Sequence, residues 1–139
     1  MSLDLSSLQR AVDSLERAIR VVSSKIRGEV DTDEEDVLRA GVIQNFEFTY
    51  ELCWKFMKRW LAINISGAAV DGVSRRELFR MAAESRLISN VDVWFEYNES
   101  RNETAHTYNA KIADDVYEAA IRFAVDARAF LISLESKND

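Results

Sequence analysis

The sequence predicts an all-α protein, an antiparallel up-and-down four-helix bundle with an additional short helix. Three observations lead there. The 139 residues include no Pro and only four Gly, which is poor punctuation for a β-rich fold and good composition for long helices. Apolar residues recur at helical spacing through most of the chain. Capping residues fall where those periodic runs begin. Apolar residues make up 47% and charged ones 30%, as in a globular chain. The length suits one domain, residues 1–139, with a core of its own.

Leu5, Leu8, Val12, Leu15, Ile19, Val22 and Ile26 alternate three and four apart, an a/d seam over three heptads. Asp4 or Ser2 is positioned to cap this helix, and Gly28 to stop it. Thr32 and Glu35 have capping-box spacing. The acidic stretch around them suits a helix N-terminus. The second helix then runs to about Ile65, roughly 50 Å. Gly41 lies inside it, read as a point of close packing. One apolar stripe holds Val42, Phe46, Cys53, Phe56, Trp60 and Ile63. An adjacent one holds Ile43, Tyr50, Trp54, Met57 and Leu61. So broad an apolar arc belongs to a helix central in its own bundle or shared with a partner. Glu47, Glu51, Lys55 and Arg59 form the polar side, with Glu51 and Lys55 in the favourable i,i+4 order.

Residues 66–73 read as a loop with Gly67 and Gly72. Ser74 and Glu77 repeat the capping-box spacing ahead of a short helix, with Leu78, Met81, Ala82 and Leu87 inward. A fourth helix starts near Val91 and holds Trp94, Phe95 and Tyr97. Asn109 caps the last helix, periodic from Ile112 to Leu134, and residues 135–139 fray. Cys53, Trp54 and Trp60 read as core or interface, because a lone mid-helix Cys behaves as a small hydrophobe.

Lys and Arg total 18, Asp and Glu 24, for a net charge of −6. That argues against a general nucleic-acid coat protein, which carries a basic stripe. Between Arg75 and Arg101 five Arg face five acids, so that region is neutral. One Cys and one His leave neither an internal disulfide nor a structural zinc site. No apolar run reaches about 18 residues, and the first residues lack a signal-peptide pattern. The expected location is the cytoplasm, with no membrane, metal or cofactor. P-loop, dinucleotide and nucleophile-elbow signatures are absent, as is a Glu-x-x-His pair for a di-iron bundle.

One polar cluster lies between two apolar helices: Ser100-Arg101-Asn102-Glu103-Thr104-Ala105-His106-Thr107-Tyr108-Asn109. Arg forks onto phosphate oxygens, and His moves protons near neutrality. On an unbroken helix, five residues rotate by about 500°, leaving Arg101 and His106 roughly 140° apart. Either the helix ends between them or they meet groups of another chain. Metal-free RNA cleavage needs both an acid and a base. A two-fold dimer would supply a second His. The bland alternative makes Arg101 a helix C-terminal cation, His106 a hydrogen-bonded link to the next helix, and Tyr108 a half-buried packer.

Arg-x4-His-x-Tyr, here Arg101, His106 and Tyr108, resembles the signature of the HEPN-domain superfamily. It is closest to the HepT-like branch, the nucleotidyltransferase substrate-binding proteins. Asn102 fits that pattern, as do the acidic lead into helix two, the aromatic run Phe46 to Lys55, the short third helix and the cap after Tyr108. The resemblance covers nearly the whole chain. It implies a dimer, or a higher even oligomer, in complex with a minimal nucleotidyltransferase encoded nearby. In the family's toxins, two subunits form a composite, metal-independent ribonuclease site. Carried over, Arg101 stabilises the phosphate, His106 transfers protons and Asn102 supports them. Tyr108 is the tyrosine whose adenylylation silences the toxin. A non-catalytic subunit that binds the nucleotidyltransferase is the alternative, and a purely structural adaptor a third reading.

Overall fold

Each periodic run of the sequence folds as a helix. The computed structural model describes residues 2–26 and 32–138, and no strand occurs among them. The helices are α1 (Ser6–Ile26), α2 (Thr32–Asn64), α3 (Gly67–Val70), α4 (Arg75–Glu84), α5 (Val91–Glu103) and α6 (Ala110–Ser136). A single 3-10 turn, Thr104–His106, joins α5 to α6. Asp4 Oδ1 accepts the Ser6 amide at 3.0 Å at the start of α1. The expected stop at Gly28 lies outside the described residues. Thr32 is already helical, so it is not the residue that caps α2.

The wide apolar arc of α2 is filled within the chain. Val42, Phe46, Cys53 and Phe56 of one stripe are buried together with Ile43, Tyr50, Met57 and Leu61 of the other. The helix packs against α1 on one side, α6 on another and α4 near its C-terminal half. Trp54 and Trp60 are half-buried against the core. Ile63 departs from the expected stripe and is exposed, although Leu61 two residues before it is fully buried. The α1 seam is buried as read at Leu5, Leu8, Val12, Leu15 and Val22.

At the centre lies an aromatic cluster. Phe123 of α6 meets Phe46 at 5.1 Å, Tyr97 at 5.2 Å and Trp94 at 5.6 Å, all near edge-to-face, the arrangement ring quadrupoles favour. Phe79 of α4, which periodicity alone did not single out, is fully buried against Trp94. Arg128 of α6 is clamped by Asp13 and Glu16 of α1, each at 2.6 Å.

Four local expectations are corrected. Residues 66–73 contain the short helix α3, because the Ser66 hydroxyl accepts the Ala69 amide at 3.0 Å and caps it. Gly41 faces open space, with nothing within 4 Å of a Cβ added there, so close packing does not explain it. Met81 is only half-buried. Of the C-terminal tail, residues 135–138 are tied down rather than frayed, and Asp139 lies outside the described residues. The helix runs to Ser136, and the Asn138 side chain accepts from Leu3 N at 2.7 Å and donates to Leu3 O at 2.9 Å.

Candidate functional site

The polar cluster forms where α5 gives way to α6. Asn109 Oδ1 accepts the amides of Lys111 and Ile112, at 3.0 and 3.2 Å, and starts α6. Thr104 ends α5. Its hydroxyl donates to Arg101 O at 2.7 Å and accepts from Arg101 Nη1 at 3.2 Å. Thr104, Ala105 and His106 tighten into the 3-10 turn, after which Asn109 N donates to His106 O at 3.0 Å. The helix therefore ends between Arg101 and His106, the first of the two arrangements their spacing allows.

Arg101 is half-buried, with Nε 3.3 Å from Glu51 Oε1. The pair is coulombic, because that N–H is not aligned on any acceptor. Glu51 does not pair with Lys55 as its spacing suggested. Its other oxygen accepts from Trp54 Nε1 at 2.9 Å. The Arg75 guanidinium lies over the Trp54 ring at 3.7 Å. Arg75 Nη1 also reaches the Tyr50 hydroxyl at 3.5 Å, and that hydroxyl donates to Asn98 Oδ1 at 2.6 Å. Asn98 is one helical turn before Arg101, so the circuit of contacts closes on α5. Burial holds the Tyr50 phenol neutral, with its pKa pushed up to about 12 against the opposing pull of Arg75.

His106 and Tyr108 contrast with Arg101. The His106 side chain is exposed and makes no hydrogen bond among the described residues; its ring neighbour is Tyr108, at 6.1 Å between centroids. Tyr108 is 88% exposed. Neither is the helix-to-helix link or the half-buried packer of the bland alternative, whereas Arg101 does occupy the last turn of α5. Asn102 is exposed beside it. Tyr108 borders a cavity of about 500 Å³ with Arg39, Ile43, Gln44 and Glu47 of α2. Arg101 borders another, of about 360 Å³, with Gln44, Glu47, Phe48 and Glu51. Gln44 and Glu47 line both, so one edge of α2 connects Arg101 to Tyr108. No bond joins Arg101 to His106 within the chain.

Sequence reading missed Glu51, Thr104 and Gln44 as parts of this site. Thr104 had a local signal, a hydroxyl three residues after Arg101 at a helix end. Glu51 had none, being fifty residues away. Among the described residues, no group of three or more His, Cys, Asp or Glu could hold a metal ion. None of their helices is long and apolar enough to cross a membrane.

Comparison with known proteins gives the same architecture. A solved Haemophilus influenzae protein, described as having the fold of a substrate binding domain of a nucleotidyltransferase, superposes with a TM-score of 0.89 at 32% identity, covering 95% of this chain and 99% of that one. A Thermus thermophilus protein shares the fold at a TM-score of 0.64 and 24% identity, over 86% of this chain and 98% of that one. The probable ribonuclease HepT of Haemophilus influenzae is 34% identical over 140 residues, 98% of this chain and 94% of that protein. Residues 3–136 match the family model described as nucleotidyltransferase substrate binding protein like. The chain belongs to that family.

Proposed function

We propose that the chain is the HepT-like subunit of a nucleotidyltransferase/HEPN toxin–antitoxin pair. In this reading it is a dimeric, metal-independent endoribonuclease, silenced when a minimal nucleotidyltransferase encoded nearby adenylylates Tyr108. The observation that carries the reading is a contrast within eight residues. Arg101 is fixed by Glu51 and Thr104, while the His106 and Tyr108 rings stand in solvent beside one another, hydrogen-bonded to no described residue. The HepT relative's name supports it.

The chemistry follows from the side chains. One imidazole takes the proton of an RNA 2′-hydroxyl as that oxygen attacks the adjacent phosphorus. A second protonates the departing 5′-oxygen, leaving a 2′,3′-cyclic phosphate. Arg101 stabilises the charge that builds on the phosphoryl oxygens, and Asn102 supports the pair. One chain has one His, so a second subunit supplies the other. Exposed Phe48, beside Arg101 in its cavity, is apolar surface for that second copy to cover. In the silencing step, the Tyr108 oxygen attacks the α-phosphorus of ATP on the partner enzyme and pyrophosphate leaves. The phosphate and base now beside Arg101 exclude RNA by charge and bulk.

Two experiments test this. Mixing wild-type with His106→Ala subunits forms heterodimers that hold one imidazole per shared site, so cleavage falls with the square of the wild-type share; a fall in direct proportion to that share contradicts a shared site. Incubation with ATP, Mg²⁺ and the neighbouring nucleotidyltransferase adds an adenylyl mass to the wild type and none to Tyr108→Phe. An unchanged wild-type mass contradicts the modification. A second reading, a non-catalytic subunit that binds the nucleotidyltransferase, draws on Glu51 and Glu47 facing Arg101, which oppose the approach of phosphate. Stable co-purification without any cleavage would favour it.

A further inference from the structure

The acidic net charge hides a basic pole. From Trp54 to Arg80 the chain holds six Lys or Arg against two acids, within a protein of net charge −6. Its centre is a groove of about 480 Å³ between the C-terminal half of α2 and the short α3. Lys55, Lys58 and Arg59 line it, over apolar surface from Ala62 and Val70, with Trp54 at one end and Asp71 as its one acid. All three cations are exposed and none joins an ion pair with a described residue. Their i, i+3, i+4 spacing puts them on one face of α2. Lys55 and Arg59 are one turn apart, about 6 Å along the axis, similar to a nucleotide step of an extended strand.

The groove also leads somewhere. Lys55 lines both it and the cavity that contains Arg101. Trp54, stacked under Arg75 at 3.7 Å, holds Glu51, the carboxylate that positions Arg101. A cationic strip therefore begins beside Arg101 and continues along α2 away from His106.

We infer that this α2–α3 groove is the docking track for single-stranded RNA flanking the bond to be cut. Lys55, Lys58 and Arg59 contact successive phosphates and the apolar floor meets the sugar and base faces. The inference rests on the ribonuclease reading for its ligand, and it resolves how an acidic protein engages RNA: contact is confined to a track that avoids the acidic faces. Polyanion affinity of this kind is set by counterion release, so it carries a salt signature.

The test measures fluorescence anisotropy of a labelled oligouridine on His106→Ala dimers, with and without the triple change Lys55→Gln, Lys58→Gln, Arg59→Gln. His106→Ala prevents cleavage during the titration, and the three exposed changes are checked by thermal melt. The triple variant is expected to bind about tenfold more weakly or worse, with the log–log salt slope reduced by about 2, as for three lost single-strand phosphate contacts. Lys58→Gln alone shifts both in the same direction by less. With His106 intact, the triple change raises KM and leaves kcat little altered. Equal affinity and slope in the two proteins overturn the inference, even if wild type cleaves RNA. So does a triple variant that binds RNA normally but no longer retains the nucleotidyltransferase, which makes the groove a protein-docking surface. No binding to either protein overturns it as well. Binding that depends on the three cations, with no cleavage by wild type, upholds the groove and removes the ribonuclease reading instead.

Discussion

Arg101 is positioned by residues its own motif does not contain. Glu51 lies 3.3 Å from its Nε, and Trp54 fixes Glu51 from the other side. The motif itself was legible as chemistry, since an Arg, an imidazole and a phenol in one short polar stretch point to phosphate. Helical geometry also showed that Arg101 and His106 do not share a face. What one chain could not reveal is the partner of Arg101, because contact across fifty residues is made by tertiary packing and leaves no local trace. Tyr50 behind the site yields a prediction with a definite sign. Its folded pKa, pushed up to about 12, exceeds the unfolded value near 10. The folded state then holds more protons above pH 10, so stability falls as pH rises from about 10 to 12, by roughly 2–3 kcal/mol at full extent. Denaturant melts of wild type and Tyr50→Phe across that range should converge as pH rises; parallel curves contradict the assignment.

At the scale of elements, caps and periodicity located most helices to within a residue or two, because Ser74, Asn90 and Asn109 each accept amides at a helix start. The end of α4 follows a different route. Leu87 N donates to Ala82 O at 2.9 Å and Arg86 N to Ala83 O at 3.0 Å, the double closure that usually ends on glycine. Here Arg86 takes the left-handed conformation, φ 61°. Arg86→Gly relieves that strain and should stabilise the protein by about 1 kcal/mol, or about 3 °C in Tm; a lower Tm contradicts it. Gly41 makes a parallel case. A glycine's space is invisible in sequence, and here the space is open. Gly41→Ala should add about 0.5–1 kcal/mol through helix propensity, read as a higher urea midpoint with an unchanged m-value. The short α3 is not legible locally, because Gly67 at its start and Gly72 just beyond its end outweigh a single serine cap.

In the whole molecule, the breadth of the apolar arc on α2 left its own bundle and a partner equally open, and packing against α1, α4 and α6 fills it from within. Phe123 is the joint of that packing, touching Phe46, Trp94 and Tyr97. Phe123→Ala should cost about 3–5 kcal/mol, a large part of the stability of a domain this size, seen as a lower urea midpoint. A loss under about 1 kcal/mol would mean that the cluster is not the core's centre. Charge is as uneven as packing: an acidic body carries a basic end, and the candidate site lies between them. The central claim is that His106 performs metal-independent chemistry on RNA. Its most direct test incubates single-stranded RNA with the purified wild type and with His106→Ala in excess EDTA, both shown by intact mass to be unmodified and by circular dichroism to be folded. Cleavage by the wild type alone, leaving 2′,3′-cyclic phosphate ends, is the predicted result. Intact RNA in both reactions, or equal cleavage in both, contradicts the claim.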